Sequence, residues 1–262
     1  MSRPRTRTKR RLQQIHEIFD NTMEEYLIYV AILSIGLIMR LFGGGGAVLA
    51  LPILTEYFGL PMVLAVPATL LSMFCTAGLA SCKFIIQRSI DFKIIFSWFV
   101  YCAVGSVIGS AINQLNIFSD MVLKILFVCV LSLSAISMIR SKTKIPEILA
   151  DKIYILATTI GVMTGLLGIS GGFLLTPSLI LFYGFSVDTG ARHVLLIVTL
   201  NTFIASLSYI NIYKSIDQNI LILFCLLPVV GVVLGEILSR YIKLKKKILG
   251  YFLLGVAVYM LV

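Results

Sequence analysis

The chain has 262 residues, of which 59% are hydrophobic and only 13% charged, and its formal net charge is +10. A soluble domain carries roughly 25% charged residues, so the composition excludes an ordinary soluble enzyme and specifies a membrane protein. The positive charge is clustered at Arg3, Arg5, Arg7, Lys9, Arg10 and Arg11, and again at Arg240, Lys243, Lys245, Lys246 and Lys247. Nucleic-acid binding needs such a patch beside a soluble reading surface, which is not encoded here, and the clusters read as cytoplasmic retention signals.

Residues 1–25 form a basic polar tail with an amphipathic surface helix predicted through Leu12, Ile15, Ile18 and Phe19. No small-residue cleavage site follows it, which argues against a secretory leader. A first membrane unit runs over 26–140. It opens with two short apolar pieces, 26–42 and 47–58, on either side of a glycine run, and continues with longer runs at 62–82, 94–118 and 121–139. A basic linker, 141–152, leads to a second unit over 153–262. That unit again opens with two short pieces, 153–167 and 173–187, followed by 194–213, 218–235 and 248–262. About 20 apolar residues are needed to cross the ~30 Å hydrocarbon core, so the short pieces are predicted to be half-helices or re-entrant hairpins. The runs are continuous rather than alternating, which selects helices over a barrel.

The two units are copies of one design. Gly43-Gly44-Gly45-Gly46 with Pro52 matches Gly168-Ile169-Ser170-Gly171-Gly172 with Pro177 at an offset of 125, and Gly36 and Gly59 match Gly161 and Gly184. At an offset of 126, Ser89-Ile90-Asp91 matches Ser215-Ile216-Asp217, and Gly105 and Gly109 match Gly231 and Gly235. Equivalent loops carry opposite charge bias. The loop 83–93 is basic where 214–217 is neutral, whereas 113–124 is neutral where 240–247 is strongly basic. Lys and Arg collect in cytoplasmic loops, so the reading is an inverted-topology repeat. Strict inversion puts residue 26 outside although a basic tail precedes it, and the sidedness of the N-terminus stays open.

The expected fold class is therefore an all-α polytopic membrane protein of two inverted repeats, each a glycine-broken pair followed by three transmembrane helices. Paired broken segments at corresponding positions point to a transport site. A helix restarting after such a break offers unpaired N–H groups and its positive dipole end to an anion. Gly43, Gly44, Gly45, Gly46, Pro52, Gly168, Ser170, Gly171, Gly172 and Pro177 are accordingly candidate substrate-binding residues. Thr69 and Asn201 on the following helices are candidate polar contacts. Intramembrane charges are costly and functional by default, which makes Arg40, Glu56, Arg192, His193 and Glu236 candidates for substrate or proton coupling. Helix-end snorkelling is their alternative reading.

No catalytic, metal or cofactor site is expected. Cys75, Cys82, Cys102, Cys129 and Cys225 are scattered without paired spacing, and HExxH and GK[ST] are absent. The string Gly168-Ile169-Ser170-Gly171-Gly172 fits GxSxG, with His193 as a conceivable base. The repeat accounts for the string without catalysis, since Gly45 occupies the place of Ser170. An intramembrane hydrolase and a non-transporting scaffold remain the competing readings.

The glycine–proline break resembles the repeat signature of the sulfite exporter TauE/SafE family, most strongly from Gly161 to Pro177 with Gly184. Unit one matches through Gly43–Gly46, Pro52, Gly59 and Ala65-Val66-Pro67-Ala68-Thr69. Ser170 and Ala47 stand where the family usually has glycine. The resemblance implies a multi-pass plasma-membrane permease of the bacterial inner-membrane type, without a cofactor. Its implied partners are the lipid bilayer and a small sulfur-containing anion such as sulfite or an organosulfonate, with export the usual direction. Proton-coupled alternating access is the expected mechanism, and a homo-oligomer stays open.

Overall fold

The structure is a computed structural model that describes residues 26–87, 89–140, 153–239, 241 and 246–260. The tail with its expected surface helix and the linker 141–152 lie outside the described residues. Those described form ten helices and no strand. Unit one comprises α1 (Tyr26–Phe42), α2 (Ala47–Tyr57), α3 (Met62–Ile86), α4 (Phe92–Gln114) and α5 (Asp120–Arg140). Unit two comprises α6 (Ile153–Leu167), α7 (Gly172–Tyr183), α8 (Val187–Leu207), α9 (Gln218–Leu238) and α10 (Lys246–Tyr259). Five of these, α3, α4, α5, α8 and α9, are long and apolar enough to cross a membrane.

Local chemistry sets the boundaries. The side chains of Asp91, Ser186 and Asp217 cap α4, α8 and α9 by accepting backbone N–H groups of the first turn. In α2, Pro52 sits within the helix, and the last five residues, Ile53–Tyr57, widen into a π-turn closed by the Phe58 N–H on Ile53 O at 3.2 Å. Large apolar side chains such as Phe96, Val104, Leu133, Leu226 and Val233 point outward. In water such a surface would drive aggregation; against lipid tails it is the matching solvent.

The units interlock. A methyl group built on Gly105 would lie 2.1 Å from Thr158 O, and one on Gly161 2.1 Å from Cys102 O. The α4 and α6 backbones are therefore in direct contact. The same seam recurs between α1 and α9, where a methyl group built on Gly36 would lie 1.7 Å from Pro228 O and one on Gly231 2.0 Å from Leu33 O. Small residues permit such approach where helix association in lipid depends on van der Waals packing. The first half-helix of each unit thus lies along the second long helix of the other.

Helix directions follow from paired contacts at both ends. In the antiparallel pair α3 and α8, Ser81 Oγ meets Thr199 Oγ1 at 3.4 Å, while Tyr213, just beyond α8, donates to Pro67 O at 3.3 Å. α4 and α8 run parallel, with His193 Nε2 on the Asp91 N–H at one end and Gln114 on Ser208 O at the other. α3 and α9 run parallel through Ser72 on Phe224 O and Lys83 on Glu236. The basic Lys83–Lys93 connection and the C-terminal end of α9 consequently share one end of the bundle. The connections after α4 and α8 share the other.

Candidate functional site

The two glycine breaks meet inside the bundle. Gly43–Gly46 and Gly168–Gly172 are all buried. A methyl group built on Gly44 would fall 2.2 Å from the Gly172 Cα, and one on Gly172 2.4 Å from the Gly44 Cα. Chain reversal at the breaks uses left-handed backbone at Gly43 (φ +80°), Gly168 (φ +66°) and Gly171 (φ +68°), a region open to glycine at little cost. Each break also packs on the next-but-one helix of the opposite unit, Gly43 on Ala191 of α8 and Gly168 on Val66 of α3.

Polar side chains bind the breaks together. Ser170 Oγ, fully buried, donates to Gly44 O at 3.4 Å. Thr176 on α7 has its hydroxyl 3.3 Å from Phe42 O, the last residue of α1, and 2.8 Å from Gly172 O. Tyr209 donates to Gly165 O at 2.7 Å, in the last turn before the second break. At the start of α7 the N–H groups of Leu174 and Leu175 both return to Gly171 O. The N–H groups of Gly172 and Phe173 precede them at the positive end of the helix dipole.

The other candidates separate into distinct places. Pro52 and Pro177 lie within α2 and α7, so both half-helices continue past their prolines. Thr69 is buried and spends its hydroxyl proton on Ala65 O at 2.9 Å, within its own helix. Asn201 is fully buried, and neither its Nδ2 nor its Oδ1 has a hydrogen-bond partner among the described residues.

The charged candidates are held by partners outside the breaks. Arg40, 8% exposed, reaches Glu236 with Nε at 2.6 Å from Oε2, and Lys83 bonds the other carboxylate oxygen. The Arg40 guanidinium also sits 4.8 Å from the centre of the Phe84 ring, and that of Arg192 5.3 Å from the same ring. Arg192 pairs with Asp188 one turn earlier on α8. Glu56 pairs with Lys124 at 2.9 Å at the opposite end of the bundle, where both side chains are substantially exposed. His193 has both ring nitrogens engaged, Nε2 accepting from the Asp91 N–H at 2.9 Å and Nδ1 donating to Thr189 O at 2.8 Å. These contacts leave no ring nitrogen for Ser170.

Sequence reasoning missed Lys83, Thr176 and Tyr209. Lys83 ends an uncharged run and reads as a loop charge; only its contact with Glu236 identifies it as part of an intramembrane ion cluster. Thr176 precedes Pro177 within the repeat motif, and a hydroxyl within a glycine–proline break was the available signal. Tyr209 carries no pattern that distinguishes it from other interfacial aromatics.

Comparison with known proteins bears on this arrangement. The family profile described as Sulfite exporter TauE/SafE matches residues 28–261. A "Probable membrane transporter protein" of Xylella fastidiosa (strain 9a5c) is 25% identical over 242 residues, covering 87% of this chain and 91% of that relative. A protein of the same description from Xylella fastidiosa (strain Temecula1 / ATCC 700964) is 24% identical with the same coverage. No solved structure matches.

Proposed function

The chain belongs to the sulfite exporter TauE/SafE family, and from that premise we propose that it is a secondary transporter that exports small sulfur-containing anions, sulfite or organosulfonates, across the plasma membrane. It is a multi-pass membrane transporter and not an enzyme. The finer reading rests on one observation, the buried contact of two glycine breaks, one from each unit, at Gly44 and Gly172. Backbone N–H groups at a helix start hold an anion without a buried cation. Here the α7 start lies against the other break, flanked by the hydroxyls of Ser170 and Thr176.

The repeats are inverted. Supporting this, the equivalent helices α3 and α8 run antiparallel, and α4 and α9, parallel to α8 and α3 respectively, oppose each other in turn. Inverted repeats supply two related conformations, each open to one side, and so serve alternating access. The cycle is coupled to protons.

Flux of labelled sulfite into liposomes containing the purified protein, with and without an imposed pH gradient, tests the reading. Saturable, gradient-stimulated flux is expected. Sulfite flux no greater than in protein-free liposomes, from a folded preparation, would overturn it.

A further inference from the structure

We propose that Asn201 is a specificity contact for the transported anion and takes it in its singly protonated form, so that the coupling proton rides on the substrate. This inference rests on the anion-transport reading above and adds to it the source of the coupling.

The first ground is the Asn201 amide. It is 0% exposed, and both its donor and its acceptor lack partners among the described residues. Its hydroxyl neighbours do not serve it, since Thr199 donates to Leu195 O and Thr202 to Val198 O, each at 2.7 Å. An unmet buried polar group is destabilising, and this side chain carries two. An amide edge sets an NH2 donor beside a carbonyl acceptor. A ligand that satisfies both must present an acceptor and a donor on neighbouring atoms. A fully deprotonated oxyanion has acceptors alone and would press a negative oxygen against the amide oxygen. A sulfonate has the same defect. A hydrogen oxyanion, with one O–H and one charged oxygen on the same central atom, meets both halves of the edge.

The second ground is what surrounds α8. The titratable groups on the helices packed against it are Cys75, Cys82 and Lys83 on α3; Lys93, Tyr101 and Cys102 on α4; Tyr154 on α6; and Tyr183 on α7, with Tyr209 and Tyr213 following α8. None is a carboxylate or an imidazole. Asp188, Arg192 and His193 on α8 itself, and Asp91 at the α4 cap, gather at the basic end of the bundle. His193 lies eight residues from Asn201, about 12 Å along the helix. Both of its nitrogens are engaged. Glu236 is held by Arg40 and Lys83, and Glu56 by Lys124. A proton that crosses with the anion has its simplest carrier in the anion itself: the hydrogen oxyanion is bound on the side from which it is taken and can release its proton on the other. One proton then moves with each anion, and no side chain changes charge.

The test compares sulfite, which has a second ionisation near neutrality, with methanesulfonate, which has none, in proteoliposomes of the full-length protein across neutral pH. For the wild type, the KM expressed as total sulfite rises with pH as the singly protonated fraction falls. The KM for methanesulfonate is independent of pH and at least tenfold higher. Asn201→Leu raises the sulfite KM at least tenfold and abolishes the preference between the two anions. Its thermal unfolding temperature is retained, because the substitution removes an unpaired polar group. A flat sulfite profile, equal handling of the two anions by the wild type, or a wild-type KM in Asn201→Leu overturns the inference while leaving anion transport in place. The last result would mean that a resident water satisfies the amide. Absence of flux of either anion removes the transport reading itself, and this inference with it.

Discussion

Gly172→Ala tests the contact between the two breaks. The added methyl carbon falls 2.4 Å from the Gly44 Cα and 3.1 Å from Gly43 O. Carbon atoms in contact sit about 3.5–4.0 Å apart, so the breaks must separate by roughly 1.1–1.6 Å. Backbone lies on the far side, and no flexible side chain is available to yield. Forced overpacking of this kind costs about 1–3 kcal/mol, which corresponds to a roughly 5–150-fold effect if it falls on the state that binds the anion. The control is Gly184→Ala, at the C-terminal end of α7. There the backbone is left-handed (φ +66°) and nothing lies within 4 Å of the new methyl. That substitution costs about 1–2 kcal/mol through backbone strain alone. Thermal unfolding in detergent is expected to place the two variants within a few degrees of each other. Initial rates of sulfite flux in liposomes are expected to separate them, with Gly172→Ala slowed at least fivefold and Gly184→Ala close to wild type. Wild-type flux in Gly172→Ala would show that the breaks do not form the seat for the anion.

Three further outcomes follow from the packing and the ion cluster. Gly161→Leu drives a side chain into Cys102 O along the α4–α6 seam and should abolish accumulation of folded protein, read as the monodisperse peak on size exclusion; a normal yield would count against a backbone-contact seam. Glu236→Gln leaves Arg40 buried without a carboxylate and should destabilise by about 1–3 kcal/mol, with partial exposure of Glu236 and Lys83 keeping the loss below that of a fully buried pair. It is read as a lowered Tm, and the pH profile of transport should keep its wild-type shape. His193→Ala strips the acceptor from the Asp91 N–H and should cost about 1 kcal/mol of stability, again with no change in the shape of the transport pH profile; a shifted profile would return His193 to the coupling role.

Much of the architecture was legible because membrane insertion and duplication both write long signals. The apolar runs locate α3, α4, α5, α8 and α9, since lipid imposes length and hydropathy on any crossing segment. The glycine–proline matches at offsets of 125 and 126 locate both breaks, because left-handed backbone and close approach leave few residue types eligible. Loop charge grouped the 83–93 connection with residues 240–247; among the described residues, Lys83 at the end of α3 meets Glu236 near the end of α9.

The candidate site was legible only in part, and the reason lies in what a repeat encodes. Matched glycines state that Gly36 is equivalent to Gly161 and Gly105 to Gly231, but they do not state which of them touch. The structure joins Gly36 to the Gly231 helix and Gly161 to the Gly105 helix, so each copy is completed by the other. The charges follow the same logic. Arg40 and Glu236 are 196 positions apart and have no charged counterparts in the other unit, so no symmetry argument pairs them, whereas the α1–α9 seam does so directly. Asn201 carries the same lesson at the level of one side chain. Its polarity is visible in the sequence, but Thr69, Thr199 and Thr202 are equally polar there and differ from it only in having partners. A threonine hydroxyl reaches back to its own helix, as all three do here, whereas the Asn201 amide finds no partner among the described residues. That difference is a property of packing, which the identity of the residue does not state.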